Sequence, residues 1–104
     1  MLDIKYIKEF AAKKGLSKKQ TQELIEAEIL SARYSYLKGR NQENERSGSY
    51  EAVRDTNANN REMDVLSREY TNRERSLGNI KGEAAAYVAQ QRNKENQNQR
   101  GASK

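Results

Sequence analysis

Residues 54–88 repeat every seven positions, as RDTNANN, REMDVLS, REYTNRE, RSLGNIK and GEAAAYV. Arginine opens the first four heptads, at positions 54, 61, 68 and 75. Apolar residues follow at alternating spacings of three and four, with one polar interruption at Arg73; they are Met63, Leu66, Tyr70, Leu77, Ile80, Ala84 and Tyr87. This spacing predicts a heptad-patterned helical segment over residues 50–92, with the arginines on its solvent side.

Two glycines interrupt the later heptads. Gly78 and Gly82 are poor helix formers, so either the helix breaks near Gly78 and Asn79 or the glycines let another backbone come close. We adopt the first interpretation and expect a break at Gly78.

A helical hairpin is predicted for residues 1–40. Asp3 is a candidate N-cap for a helix ending at Lys14, and Gly15 follows as a left-handed C-terminal residue. Ser17 and Gln20 have the spacing of a capping box, which predicts a second helix from Lys18 to Lys38.

The second helix has two apolar sides. At 100° per residue, one side carries Ile25, Ile29, Ala32 and Tyr36, and the nearly opposite side carries Ala27, Leu30, Tyr34 and Leu37. A helix with two apolar faces needs two neighbours, and at least one should come from outside the hairpin.

The remaining segments are polar. Residues 41–49, NQENERSGS, are predicted to form a linker, and residues 93–104 a flexible basic tail. The fold class expected is therefore all-α: a helix-turn-helix or plain αα-hairpin, a polar linker, and a heptad-patterned C-terminal helical segment.

Composition excludes several functions. The chain has no His and no Cys, so a His base, a thiolate nucleophile and a Cys/His zinc site are impossible. We expect no enzymatic activity, no cofactor and no metal. No apolar run is long enough for a membrane span, and residues 1–10 lack the continuous apolar stretch of a signal peptide, so we expect no signal peptide and a cytoplasmic protein.

The preferred hypothesis is a small basic interaction protein. Only 16 of 104 residues are Leu, Ile, Val or Phe, which predicts that stability depends on contacts with another protein or a second copy. An inhibitor, antitoxin, adaptor, or virion or mobile-element accessory would fit. The predicted partner interface consists of Ile25, Ile29, Leu30, Tyr34, Tyr36, Leu37, Met63, Leu66, Tyr70 and Leu77.

The alternative hypothesis is a DNA-binding accessory or regulator. Ile7, Ala11, Gly15 and Ser17 follow the order of a helix-turn-helix, although Lys14 and Thr21 depart from the usual apolar residues. The N-terminal twenty residues carry six lysines and only two acids. The candidate nucleic-acid contacts are Lys13, Lys14, Lys18, Lys19, Gln20 and Gln22, and the C-terminal segment would then dimerise.

Overall fold

The computed structural model describes the backbone of residues 3–102 and the side chains of residues 3–97. Within these residues the protein is a chain of four helices: α1 (Ile4–Lys14), α2 (Lys18–Ser47), α3 (Tyr50–Leu77) and α4 (Asn79–Ala102). No strand occurs in the described range, and the predicted all-α fold class is confirmed.

The turn between α1 and α2 forms as the sequence predicts. Gly15 has φ 74° and ψ 36°, and its N–H and that of the next residue donate to the carbonyl oxygens of Ala12 and Ala11. The Ser17 side chain accepts a hydrogen bond from the Gln20 N–H, while the Gln20 side chain accepts one from the Ser17 N–H. This reciprocal capping box starts α2.

Helix α2 is longer than predicted. It passes through Gly39 and ends at Ser47, so the linker prediction for residues 41–49 is wrong for its first seven residues. Only Gly48, with φ 63°, and Ser49, whose side chain caps α3, connect the two long helices.

Hydrogen bonds between α2 and α3 explain why the polar residues 41–47 and 55–60 are helical. The Asn44 amide donates to the Asp55 carboxylate at 2.7 Å, and the Asn59 amide donates to the Asn41 side-chain oxygen at 3.0 Å. Asn59 is buried, although asparagine disfavours a helix interior. These bonds to α2 offset the poor helix propensity of residues 55–60.

Helices α2 and α3 form an antiparallel pair, here called the long arm. Side-chain contacts join Glu23 to Ser76, Glu26 to Arg73 and Arg40 to Asp55. The residue number therefore rises along α2 as it falls along α3. The predicted heptad register is confirmed: Leu77 is buried, and Met63, Leu66 and Tyr70 are half-buried, while Arg54, Arg61, Arg68 and Arg75 are exposed. The heptads of α3 pack against the chain's own α2.

Helices α1 and α4 form a second antiparallel pair, the short arm. Tyr6 donates to Glu95, Tyr87 donates to Glu9 at 3.2 Å, and the Lys14 ammonium lies 3.0 Å from the Glu83 carboxylate. Asp3 was expected to cap α1, but its side chain makes no capping bond and pairs instead with Arg92. Asp3 therefore stands at the predicted N-cap position, where its carbonyl oxygen accepts from the Ile7 N–H at 3.1 Å, but its side chain does not cap the helix.

The two arms meet at an elbow, where the helix is interrupted on both sides of the hairpin. One break is the turn at residues 15–17, and the other is Gly78, whose φ of 58° and ψ of −132° suit glycine. The predicted break at Gly78 is confirmed. A straight helix over residues 4–47 would be about 66 Å long. The molecule measures 49 × 44 × 17 Å, so the arms lie at an angle in one flat layer.

The hydrophobic core lies at the elbow. Its buried members are Ile7, Phe10, Leu24, Leu77 and Ala84, and Leu16, Ile25, Ile80, Tyr87 and Val88 pack around them. All four helices therefore contribute to the core that fixes the angle between the arms.

The C-terminal segment is also helical where it is described. Helix α4 continues to Ala102, so the prediction of a flexible tail is corrected for residues 93–102, and residues 103 and 104 lie outside the described range. Glu95, which accepts from Tyr6, ties this part of α4 to α1.

Candidate protein-binding surfaces

The ten predicted interface residues separate into buried, half-buried, groove-lining and exposed groups. Leu37 and Leu77 are only 2% and 4% exposed, because they pack inside the hairpin and the elbow. Their assignment to a partner interface is corrected: intrachain contacts already cover both side chains. Met63 is half-buried and accepts a weak bond from the Asn41 amide at 3.5 Å.

Four of the predicted residues line one groove on the long arm. Leu30 and Tyr34 of α2 face Leu66 and Tyr70 of α3, and the hydroxyls of Ser31 and Ser67 complete its walls. We call this the tyrosine groove; its volume is about 270 Å³. The sequence pattern did not predict the two serines, which lie one position beyond Leu30 and Leu66 along their helices.

A positive charge lies beside Tyr70, one of the tyrosines of the groove. The Lys81 ammonium of α4 lies 5.3 Å from the centre of the Tyr70 ring, a cation–π distance. Lys81 reaches this position because the break at Gly78 redirects the chain beside α2 and α3. Sequence spacing alone does not relate Lys81 to Tyr70 in this way.

A second cavity, of about 410 Å³, lies along α4 next to the elbow. Its apolar floor includes Ile7, Leu24 and Val88, and its rim carries charges of both signs, among them Glu28 and Arg92. No sequence pattern predicted this cavity, because its residues come from three helices and meet only through the elbow.

The other predicted interface residues lie outside the tyrosine groove. Ile29 and Tyr36 are 46% and 56% exposed, and Ile25, on the same side of α2, packs partly against the elbow core. The structure therefore confirms that α2 has two apolar sides, and it covers one of them with α3.

Ion pairs run along one edge of the long arm. Arg33 contacts Glu62 at 2.6 Å, and Arg40 contacts Asp55 at 3.3 Å. The hydrogen bond from Arg33 lowers the pKa of Glu62, and hydrogen bonds from Asn44 and then Arg40 lower the pKa of Asp55. Both carboxylates thus stay ionised and neutralise the arginines beside them.

The six candidate nucleic-acid contacts do not form one surface. Lys13 lies over the Tyr87 ring at 5.1 Å and Lys14 pairs with Glu83, so both point toward α4. Gln20 is engaged in the capping box, and Gln22 donates to Glu26.

Lys18 and Lys19 are exposed in the first turn of α2. Together with Lys8, they border a shallow depression floored by Leu16 and Ile25. This depression thus brings Lys18 and Lys19, two of the six predicted contacts, together on an exposed surface.

No group of three acidic side chains that could hold a metal ion occurs among the residues described. None of the helices, over the part of the chain that was searched, is long and apolar enough to cross a membrane. Comparison with family models, curated proteins and solved structures finds no match.

Proposed function

We propose that this protein is a small, non-enzymatic helical interaction protein that acts in the cytoplasm and binds a helix of a larger protein in its tyrosine groove. The observation that supports this proposal is the groove itself. It combines two leucines with two tyrosines, and Tyr34 remains 38% exposed. Tyrosine is enriched at interfaces because its ring buries area while its hydroxyl finds a polar partner.

The groove also defines the chemistry of its partner. Apolar anchors of an amphipathic helix would fill the space between Leu30 and Leu66, and the serine hydroxyls would meet polar atoms at its edge. An acidic residue flanking the anchors would lie near Lys81. The net charge of +5 favours encounter with such an acidic partner.

Site-specific photo-crosslinking tests this proposal. A benzophenone amino acid at Tyr34 should capture one discrete partner in cells, whereas the same group at Tyr50, which is 75% exposed outside the groove, should not. With the purified partner, Tyr34→Ala should weaken binding about 30-fold, as for a central interface tyrosine, and Tyr50→Ala should leave it unchanged. Equal effects at both positions would contradict a binding site in the groove.

DNA binding is the second candidate function, and exposed Lys18 and Lys19 favour it. Their position after the Gly15–Ser17 turn matches the start of a recognition helix. If DNA binds there, affinity should fall steeply with salt. Replacing both lysines by alanine should reduce the slope of log K against log salt by about 1.8, at about 0.9 for each phosphate contact.

Lys14→Ala is the matched control, since Lys14 is paired with Glu83. Fluorescence anisotropy with labelled duplex DNA measures the slopes. Binding that is absent at low salt, or a slope that the double variant leaves unchanged, would eliminate this second function.

A further inference from the structure

Gly39 lies in the interior of α2, although nothing in its own chain requires glycine there. Its φ is not positive, and a Cβ added at this position would meet no atom within 4 Å. Glycine inside a helix is destabilising relative to alanine. No intrachain contact offsets this cost, and Gly39 leaves open space on the surface of α2.

Gly39 belongs to a second heptad series on α2, here called the outer stripe. Its members alternate four and three residues apart; they are Ile25, Ile29, Ala32, Tyr36, Gly39 and Glu43. Their spacing is that of a helix which packs against another helix over several turns. α3 occupies the other apolar side of α2, so the exposed Ile29 and Tyr36 of the outer stripe are available to a further helix.

We propose that the outer stripe binds the outer stripe of a second copy of this chain, with the two α2 helices antiparallel. When the pair is centred between Ala32 and Tyr36, each Tyr36 faces the second copy's Ala32, and each Ile29 faces the second copy's Gly39. Large side chains thus meet small ones at every central layer, as close packing requires. In a parallel pair, tyrosine would meet tyrosine and glycine would meet glycine, which crowds one layer and leaves a gap in another.

The charges that flank the outer stripe suit the same arrangement. Glu26 and Arg40, which border the outer stripe, are already paired with Arg73 and Asp55 of their own chain. Antiparallel pairing brings the Arg33 side chains of the two copies near each other. Glu62 of the same chain neutralises each of these two guanidinium groups. A surface neutralised in this way suits a second copy better than a polyanion.

Sedimentation equilibrium of the full chain tests the dimer. The wild type should dimerise reversibly, and Gly39→Leu should weaken the dimer at least about tenfold because it overfills the layer with Ile29. Gly39→Ala should raise the melting temperature of the helix and yet weaken association. Gly82→Ala is the control: Gly82 is also helical, with nothing within 4 Å of an added Cβ, so it should raise the melting temperature and leave association unchanged. A wild type that remains monomeric at the highest attainable concentration, or a dimer insensitive to Gly39→Leu, would overturn the proposal.

Disulfide crosslinking tests the direction of pairing, because the chain has no cysteine of its own. A mixture of the Ala32→Cys and Tyr36→Cys variants should form a crosslinked heterodimer on oxidation, and each variant alone should form little. Crosslinking of each variant with itself would indicate a parallel pair and overturn the register. Tyr34→Ala lies on the other apolar side of α2 and should not affect the dimer, so this proposal and the tyrosine groove can fail separately.

Discussion

Phe10→Ala is expected to separate the short arm from the long arm at a cost of about 3–5 kcal/mol, the usual range for truncating a buried aromatic residue. Phe10 is 8% exposed at the elbow, and its ring centroid lies 5.8 Å from that of Tyr87. Its removal would leave a cavity between α1 and α4 that few neighbours could fill. We expect α1 and α4 to lose protection while α2 and α3 remain helical.

Urea unfolding and amide hydrogen exchange measure this loss. The control is Lys8→Ala, which introduces the same residue at an exposed position of the same helix and should change stability by less than about 0.5 kcal/mol. If Phe10→Ala behaved like this control, the elbow core would not hold the arms together.

Leu37→Asp is expected to have the larger effect and to unfold the long arm. Leu37 is 2% exposed and lies between α2 and α3, where an ionised carboxylate would lose its hydration. The resulting cost of several kcal/mol is comparable to the total stability of a small domain, about 5–15 kcal/mol. Circular dichroism should therefore show a large loss of helix at room temperature.

Val53→Asp provides the matched comparison for Leu37→Asp. Val53 is 53% exposed on α3, so the same charge there stays hydrated and the helix content should be unchanged. Equal losses of helix in the two variants would mean that Leu37 does not belong to the interior of the hairpin.

Local signals were sufficient to predict two of the three turns of this fold, at residues 15–17 and at Gly78. Gly15 and Ser17 act through their own backbone geometry and nearest N–H groups, and Gly78 acts through a backbone conformation that suits glycine. Such signals are readable in sequence because the interacting groups lie within a few residues of one another.

The extent of the helices could not be predicted in the same way. Asn44 and Asn59 disfavour a helix interior, and only their partners on the facing helix make the polar tip helical. Those partners are 11 and 18 residues away in the chain. Propensity therefore indicated a linker where long-range hydrogen bonds extend a helix.

The candidate binding surfaces could likewise be predicted only in part from the sequence. Heptad spacing predicted Leu30, Tyr34, Leu66 and Tyr70, since periodicity identifies a face. It could not tell which apolar side α3 would cover, so it assigned the buried Leu37 to a partner and the exposed Tyr36 to the same set. Lys81 joins the groove only through the elbow.

The nested pairing of the two arms has a consequence for the order of folding. Once the turn at Gly48 and Ser49 is made, each further contact between the paired helices closes only a small additional loop. This holds even for Tyr6 and Glu95, which are 89 residues apart in sequence. The chain can therefore zip from its tip toward its ends without the entropic barrier that so distant a contact would otherwise impose. Opening would run in reverse, from the ends of the short arm, so brief local unfolding would expose α1 and α4 before it reached the tyrosine groove.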